Sequence, residues 1–485
     1  RIDGGHQFFS RANDFGFSKS ATETFQIWGK QEVSEDVVRV LRQFKPDVII
    51  TRFPPDERAG HGHHTASAVL AQEAFDLASD PAAFPATAQE FGVWQVKRLY
   101  TNTGRWWNNT INENTPGVIT LDVGGYSTLL GKSFTELAAL SRSQHKSQGF
   151  GSAGTRGRQV EFLEFIKGEQ AQKNIFEGIN TTWTRVKGGD KVKPLVEKVI
   201  REFNMEHPER SVPQLLLIRQ QIQLIEDGIW KTRKLAETEQ LIQDCLGLFA
   251  EATALHYYAS PGHPVSSMLE IINRSSVPVD VVSVTAPALS YDSSIAFALK
   301  ENIPLQVKVN KVLPGSTYYS DPYWLQQPHQ DGLFQVTNKE LIGRPEADAA
   351  VMFQVRVKVN GQPLELTVPL RYKWTDPAKG ELYRPMEVVP LVAVNLAESS
   401  MVFPDGQPRI VEVRVQSTNA ANVSGTLQLM LPEGWVSSPE TFNFTFAKTG
   451  AESVCRFSVT PAAREGVFAI RAVARIDKEP LPFER

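Results

Sequence analysis

Cysteine, long apolar runs and a surplus of charge of one sign are all scarce in this chain of 485 residues. Its two cysteines, Cys245 and Cys455, are too few for a disulfide framework or a thiolate zinc site, so any metal must be held by His and carboxylate side chains. No apolar run reaches the roughly 18–20 residues that span a bilayer, and we expect no transmembrane segment. The net charge of −3 lacks the basic excess of a nucleic-acid-binding protein, so we expect no nucleic-acid partner.

The hydrophobic patterning divides the chain into four regions. Residues 1–187 alternate helix and strand, which predicts an α/β domain with a Rossmann-like, mainly parallel sheet. Long periodic stretches with almost no Gly or Pro predict a helical linker domain over residues 188–256. Period-two runs separated by turn residues predict two β-sandwich modules, 257–385 and 386–485, of which the second has no evident closing strand.

Individual elements follow from the same patterns. In the first region we predict helices over Val33–Phe44, His61–Leu77 and Ser133–Gln148, and strands over Asp47–Thr51 (buried on both faces), Gln95–Asn102 and Gly117–Val123. In the second region we predict helices over Val192–Phe203, Val212–Glu226 and Trp230–Ala254. Further on, the alternating run Val351–Val359 is followed by Asn360-Gly361, which predicts a β-hairpin.

Three of the nine histidines lie within four residues, at His61, His63 and His64. They begin a predicted helix just after the carboxyl end of a predicted strand, where open α/β sheets bind their ligands. His61 and His64 are three residues apart and can share one face of the helix. Neutral imidazole is the commonest metal ligand in proteins. The pattern therefore indicates a metal or catalytic site, and the alternative is a solvated, polar helix start.

The loop before these histidines is dense in charge between Arg52 and Arg58. The Asp56 carboxylate can orient a metal-bound imidazole by accepting its second N–H, because such histidines usually donate this N–H to a carboxylate or a carbonyl. The alternative is that Asp56, Glu57 and Arg58 form a surface ion cluster. Trp106-Trp107 has two interpretations as well, either an aromatic platform for a sugar ring or a cover for the core.

The order of these motifs resembles a known family. Several segments are similar to those of the LmbE/PIG-L family: the run Lys45–Thr51, the loop after it, His61-x-x-His64 opening an Ala-rich helix, and the later His145-Lys146-Ser147-Gln148. Members of that family are zinc-dependent de-N-acetylases that act on N-acetylglucosamine-type sugars. The resemblance covers about residues 1–180.

The resemblance implies a role for each matching residue. His64 is expected to bind zinc, and His61 is expected to assist the reaction at the substrate carbonyl. Gly62-His63 replaces the Pro-Asp that the family has between these histidines, so His63 stands where the family has a supporting Asp. Asp14 resembles the family's acidic residue that contacts sugar hydroxyls, and the alternative is that it forms an Asx-turn. Arg52 and His145 are also expected to contact the substrate.

The family's other motif, an HPDDE-like segment after the first strand, is missing from this chain. In the family, that segment supplies a His and an Asp as zinc ligands and another Asp as the catalytic base. We therefore expect the sheet to be incomplete on its N-terminal side and a segment N-terminal to Arg1 to supply the remaining ligands. The chain alone is expected to hold at most one zinc ligand and to be inactive.

The segment Gly425–Trp435 resembles the strand and turn of NEW3-type β-sandwich modules attached to bacterial glycoside-active enzymes. Such modules suit a polymeric substrate, so we expect an exported bacterial protein, periplasmic or at the cell surface, although the chain shows no signal peptide. The partner is expected to be an N-acetylated sugar or glycan. A second hypothesis is a non-catalytic, glycan-binding or scaffold surface protein whose deacetylase domain has degenerated.

Overall fold

The computed structural model describes residues 2, 4–226, 228–418, 422–477 and 483–484. It divides into two compact units. The first contains Arg1–Arg185 and Asp321–Ala347, and the second contains Val186–Ser320 and Asp348–Arg485. Among the described residues, no helix is long and apolar enough to cross a bilayer. The finer division into four regions stays a prediction.

The first unit mixes helices with short strands. Its helices are α1 (Ala21–Trp28), α2 (Lys30–Phe44), α3 (Gly62–Leu77), α4 (Pro85–Phe91) and α5 (Phe134–Arg142). Its strands are β1 (Val48–Thr51), β2 (Arg98–Thr103), β3 (Val118–Asp122), β4 (Tyr126–Ser127), β5 (Lys132–Ser133) and β6 (Val160–Gly168). The predicted elements are confirmed within a few residues at most ends. The exception is the helix predicted to reach Gln148, since α5 ends at Arg142.

Four strands of this unit form one sheet in the order β1-β2-β6-β3. Among the three pairings of this sheet, only that of β1 with β2 is parallel, because β6 lies between β2 and β3 and runs antiparallel to both. The expectation of a mainly parallel sheet is therefore wrong for these four strands, and the patterns used above did not predict β6. The expectation that β1 is buried on both faces is also wrong, since Ile50 is 45% exposed.

The core of this unit fixes α3 beside the sheet. Val38 of α2, Phe75 of α3 and Leu99 of β2 belong to one buried cluster. The fully buried Arg42 side chain joins α2 to the segment after α3, donating to the carbonyl oxygens of Leu77, Ala78, Asp80 and Phe84 and to the Thr87 hydroxyl. These bonds add a charged donor to carbonyl groups around the end of α3, each of which also accepts a backbone N–H.

The second unit begins with three helices, α6 (Lys193–Glu202), α7 (Val212–Gln223) and α8 (Gly228–Leu246). The third predicted helix is too long, because Gly247 adopts a φ of +56° and the chain continues as a strand. The strands are β7 (Phe249–Ala254), β8 (Tyr258–Ala259), β9 (Pro264–Ile272), β10 (Val279–Ala286), β11 (Tyr291–Ala298), β12 (Leu305–Val312), β13 (Met352–Val359), β14 (Gln362–Asp376), β15 (Gly380–Pro385), β16 (Glu387–Val388), β17 (Val392–Leu396), β18 (Arg409–Ser417), β19 (Val423–Met430), β20 (Val436–Ser438), β21 (Thr441–Phe446), β22 (Glu452–Thr460), β23 (Arg471–Ile476) and β24 (Phe483–Glu484).

These strands form sandwich-like sheets, as the alternating runs predict. The larger sheet has the order β11-β10-β13-β14-β7-β9-β12, with β15 also paired to β14, and β16 pairs with β8. The predicted hairpin joins β13 to β14, and Asn360 and Gly361 have φ angles of +47° and +76°. Two four-stranded sheets, β17-β18-β22-β20 and β21-β19-β23-β24, follow and share one buried cluster.

Candidate functional site

The three clustered histidines lie where β1 leads, through a loop, into α3. His61 occupies the N-cap position, and α3 begins at Gly62. Gly62 is required because a Cβ there would lie 2.3 Å from the Ser20 carbonyl oxygen and 2.4 Å from Ser18 Oγ. The close approach of the Ser18–Ser20 segment to the helix start sets the environments of the histidines on either side of Gly62.

His61 and His64 come together, as their spacing predicts. Their ring centroids are 5.2 Å apart. Phe17 contacts the His61 ring edge-on at 4.7 Å, and Phe53 stacks on His64 at 3.8 Å with an interplanar angle of 6°. His64 Nδ1 lies 3.1 Å from the Ala59 carbonyl oxygen, which can only accept, so this nitrogen is the donor. His64 therefore keeps the lone pair of Nε2 for another ligand.

His63 has different surroundings from the other two histidines. Its ring lies 4.5 Å from the Phe15 ring and 5.1 Å from the Trp28 ring. Its Nδ1 is 3.0 Å from Ser18 Oγ. Thr24 Oγ1 donates to the Ser20 carbonyl and therefore accepts from Ser18 Oγ, which is 2.7 Å away.

The direction of these hydrogen bonds sets the tautomer of His63. Ser18 gives its only proton to Thr24, so Ser18 accepts from His63 Nδ1–H. His63 Nε2 is then a bare lone pair, and it is buried with no hydrogen-bond partner among the described residues. Burial lowers the pKa of His63, partly opposed by the charge of Asp14. The role expected for His63, support behind the metal ligand, stays a prediction.

Asp56 turns its carboxylate to Arg58. Oδ1 accepts from the Arg58 backbone N–H at 3.0 Å and from Nε at 2.8 Å, while Oδ2 accepts from a guanidinium nitrogen at 2.7 Å. These bonds hold the pKa of Asp56 below its ordinary value. The contacts match the interpretation as a surface ion cluster. The Ala59 carbonyl, rather than Asp56, holds the His64 imidazole.

Arg52 connects the histidine site to the tryptophan pair. Its guanidinium carbon is 5.3 Å from the Trp106 ring centroid and 5.8 Å from that of Trp107, and Nη1 donates to Asn102 Oδ1. Phe53, which stacks on His64, lies 6.0 Å from Trp107. A continuous row of rings thus leads from His64 to Trp106.

The other two expected substrate residues lie in exposed segments. Asp14 Oδ1 accepts from the Gly16 backbone N–H at 2.9 Å, which is an Asx-turn. His145 lies after the end of α5, and its ring is 6.3 Å from the Phe150 ring. Within the part of the chain that the structure describes, no hydrogen bond or ring contact joins Asp14 or His145 to His61 or His64.

The donor set fits zinc only in part. His64 presents one imidazole with its second nitrogen held by a carbonyl, as metal-bound histidines are held. Catalytic zinc sites use three protein ligands. Among the described residues, no group of three or more His, Cys, Asp or Glu side chains is placed to hold a metal ion.

Sequence reasoning missed two features of this region. One is the pocket around His63, built from Phe15, Ser18 and Trp28; the signal was the Ser20 cap of α1, which fixes this segment before a short helix. The other is the polar groove beside Trp106, which depends on β6. The signal for β6 is weak, because Val160–Gly168 is rich in aromatic and β-branched residues but does not alternate between apolar and polar side chains.

Comparisons with known proteins leave the family open. No family model matches the sequence, and no curated protein matches it. Among solved structures, red sea bream transglutaminase is similar over 52% of this chain, with 11% identity and a TM-score of 0.22. The chain spans 33% of that transglutaminase.

Two further structures are similar at lower scores. A protein of unknown function from Porphyromonas gingivalis W83 matches 44% of this chain and 83% of its own, with 14% identity and a TM-score of 0.16. The first two Ig domains of DIP-gamma match 49% of this chain and 93% of their own, with 8% identity and a TM-score of 0.14. All three TM-scores are too low for a shared fold to follow.

Proposed function

We propose that this chain carries the histidine part of a zinc-dependent hydrolase that removes the acetyl group from an N-acetylglucosamine-type sugar of a glycan. One observation carries the proposal: His61 and His64 meet at the carboxyl end of β1, with His64 Nδ1 held by the Ala59 carbonyl. When bound, zinc supplies polarisation of the amide carbonyl and a water of lowered pKa.

The two histidines have different tasks in this proposal. His64 offers Nε2 as one metal ligand, and the stacked Phe53 ring limits its rotation. The imidazole of His61 is exposed and lies beside His64. When protonated, His61 donates a proton to the carbonyl oxygen or to the leaving amine. Asp14, Arg52 and His145 are proposed to contact the sugar.

The remaining ligands are proposed to come from outside residues 1–485. β1 lies at an edge of its sheet, and the exposure of Ile50 leaves apolar surface beside this edge. A Rossmann-like arrangement with further parallel strands next to β1 would cover that surface and bring other side chains to the same carboxyl edge. The β-modules are proposed to hold an exported, periplasmic or cell-surface protein on a polymeric glycan.

The test compares histidine variants in the complete natural polypeptide. His64→Ala is expected to lose zinc, whereas His61→Ala is expected to keep zinc and lose turnover of an N-acetylated chitooligosaccharide. His329→Ala, an exposed histidine of the same unit, is the control and is expected to keep both. Full activity in both site variants would contradict the assignment.

The chain as it stands supplies a second test. Residues 1–485 alone are expected to bind zinc substoichiometrically and to show no deacetylase activity, because one imidazole does not make a three-ligand site. Elemental analysis after dialysis measures this. Tight binding of one zinc per chain would show that other residues hold the metal.

A non-catalytic glycan-binding protein is the second candidate function. The exposed indole of Trp106 beside the Arg52 guanidinium favours it, because such a ring can bind a sugar without any reaction. It predicts that the complete polypeptide also lacks zinc and turnover while it still binds glycan. X-ray absorption at the zinc edge on the complete polypeptide separates the two candidates.

A further inference from the structure

A polar groove of about 690 Å³ opens on the first unit, lined by Gly104–Trp106, Asn112–Asn114 and Arg158–Phe162. β1 and β2 run in parallel and β6 runs against them, so the ends of β1 and β2 and the start of β6 lie at one edge of the sheet. His61, His63 and His64 come after the end of β1, which lies at this edge. The volume is in the range of small-molecule sites, roughly 300–1,000 Å³.

Trp106 provides an exposed aromatic surface in a fixed position. Trp106 is 58% exposed. The indole lies against the backbone of Gly104, where a Cβ would be 2.4 Å from two ring carbons. Arg52 lies 5.3 Å from the ring centroid and further limits its movement. A held indole offers the apolar faces of sugar rings a surface that needs little ordering on binding.

The rim of the groove supplies hydrogen-bonding groups with balanced charge. An Arg158 guanidinium nitrogen donates to both carboxylate oxygens of Glu113, at 2.8 and 2.9 Å. Asn102 Nδ2 donates to Glu161 Oε2 at 2.8 Å. Arg105 adds a second cation, so the charged lining consists of two arginines and two glutamates. This combination suits the hydroxyl and amide groups of neutral sugars, whereas a polyanion would face two carboxylates.

Aromatic rings join the groove to the histidine pair. Trp106 and Trp107 are 5.8 Å apart between centroids, Trp107 and Phe53 are 6.0 Å apart, and Phe53 stacks on His64. A ligand in the groove can therefore continue along these rings to His64. We infer that the groove binds neutral sugar residues of a glycan chain that extends beyond the sugar at the histidines. The inference rests on the proposed function for the identity of the reacting sugar.

The experiment measures binding without turnover. Isothermal titration of residues 1–485 with tetra-N-acetylchitotetraose and with N-acetylglucosamine is expected to show tighter binding of the tetramer. Trp106→Ala is expected to weaken tetramer binding about tenfold and to leave monomer binding unchanged. Trp106→Phe is expected to recover part of the loss. Circular dichroism checks that the variant is folded, which the exposure of Trp106 favours.

Tyr318→Ala is the matched control, because Tyr318 is an aromatic residue that is 89% exposed in the second unit. It is expected to bind the tetramer like the original protein. The inference is overturned if the tetramer binds no tighter than the monomer, if Trp106→Ala binds like the original, or if a sulfated polysaccharide binds more tightly. If tetramer binding depends on Trp106 but the complete natural polypeptide has neither zinc nor deacetylase activity, the proposed function is overturned and the groove assignment stands.

Discussion

The last β-module and the α/β sheet of the first unit close their cores in different ways. In the module, Val413 and Phe457 from one four-stranded sheet and Leu427 and Ala474 from the other belong to a single buried cluster. In the α/β sheet, the described buried residues fall into separate small clusters. Its edge strand β1 also leaves Ile50 45% exposed. The module thus closes a single core between its two sheets, whereas in the edge strand β1 only Thr51 is buried.

The largest effect is expected at the centre of the module. Phe457 is fully buried and contacts Phe442 of the opposite sheet at 5.0 Å, edge-on. Phe457→Ala is expected to lower the free energy of unfolding by about 3–5 kcal/mol, because it leaves a cavity between the sheets. Urea denaturation measures this. Ile410→Ala, at a half-exposed position of the same module, is the control and should cost far less. Equal losses would contradict a single closed core.

The next effect concerns how the first unit holds α3. Arg42→Met is expected to cost about 2–4 kcal/mol, because the methionine fills the space but removes buried, charge-assisted hydrogen bonds to four carbonyl groups, each of which keeps a backbone donor. The Arg42 donors lie 2.6 Å from the Asp80 carbonyl and 2.6 Å from the Thr87 hydroxyl. Lys30→Met removes an exposed ion pair with Glu73 and is expected to cost at most about 1 kcal/mol. A loss no larger at Arg42 than at Lys30 would show that the backbone hydrogen bonds alone hold this segment.

The elements that the sequence predicts well are those decided by local pattern. Alternation over Val351–Val359 and the Asn360-Gly361 turn predict a strand and a hairpin, and both are present. The predicted end of α8 is wrong. The helix ends before Gly247, but a single glycine is a weak signal against a long helical pattern. Sheet direction was wrong because it depends on β6, which pairs with strands distant in sequence.

The candidate site shows the same limit. The spacing of His61 and His64 predicts that their rings lie close together, because residues three apart are neighbours on a helix surface. The hydrogen-bond partner of His64 could not be predicted. It is the backbone carbonyl of Ala59, and every residue has such a carbonyl, so nothing in the sequence distinguishes this one. The surroundings of His63 could not be predicted either, because Ser18 and Trp28, which contact it, are distant from it in sequence.

A buried carboxylate predicts how the stability of the first unit varies with pH. Asp36 accepts from the Arg11 backbone N–H at 2.7 Å and from Arg11 Nε at 2.9 Å. Burial nevertheless raises the pKa of Asp36 above its ordinary value. A raised folded-state pKa stabilises the fold below the unfolded-state pKa, and this contribution is lost as pH rises through the folded-state pKa. The advantage of the original protein over Asp36→Asn should therefore shrink from acidic to neutral pH.

Asp122→Asn is the control for that titration. The Gly124 and Gln159 backbone N–H groups lower the pKa of the exposed Asp122 carboxyl. Its stabilisation is present above the unfolded-state pKa and is lost as pH falls through the folded-state pKa, so the pH trend has the opposite sign. Urea denaturation across the acidic range measures both differences. Parallel trends for the two variants would contradict the raised pKa of Asp36.

The smallest effect is expected at the open edge of the α/β sheet. Ile50→Thr keeps a β-branched residue in β1 and removes apolar surface that is already half in water, so it should change the free energy of unfolding by no more than about 0.5 kcal/mol. Ile119→Thr in β3 is the matched substitution at a buried position and is expected to cost about 1–3 kcal/mol, because it buries a hydroxyl. Urea denaturation of residues 1–485 compares them. Repeating both in the complete natural polypeptide sharpens the comparison: if further strands cover β1 there, the cost at Ile50 rises toward that at Ile119. A large cost at Ile50 in residues 1–485 alone would show that this edge is already covered.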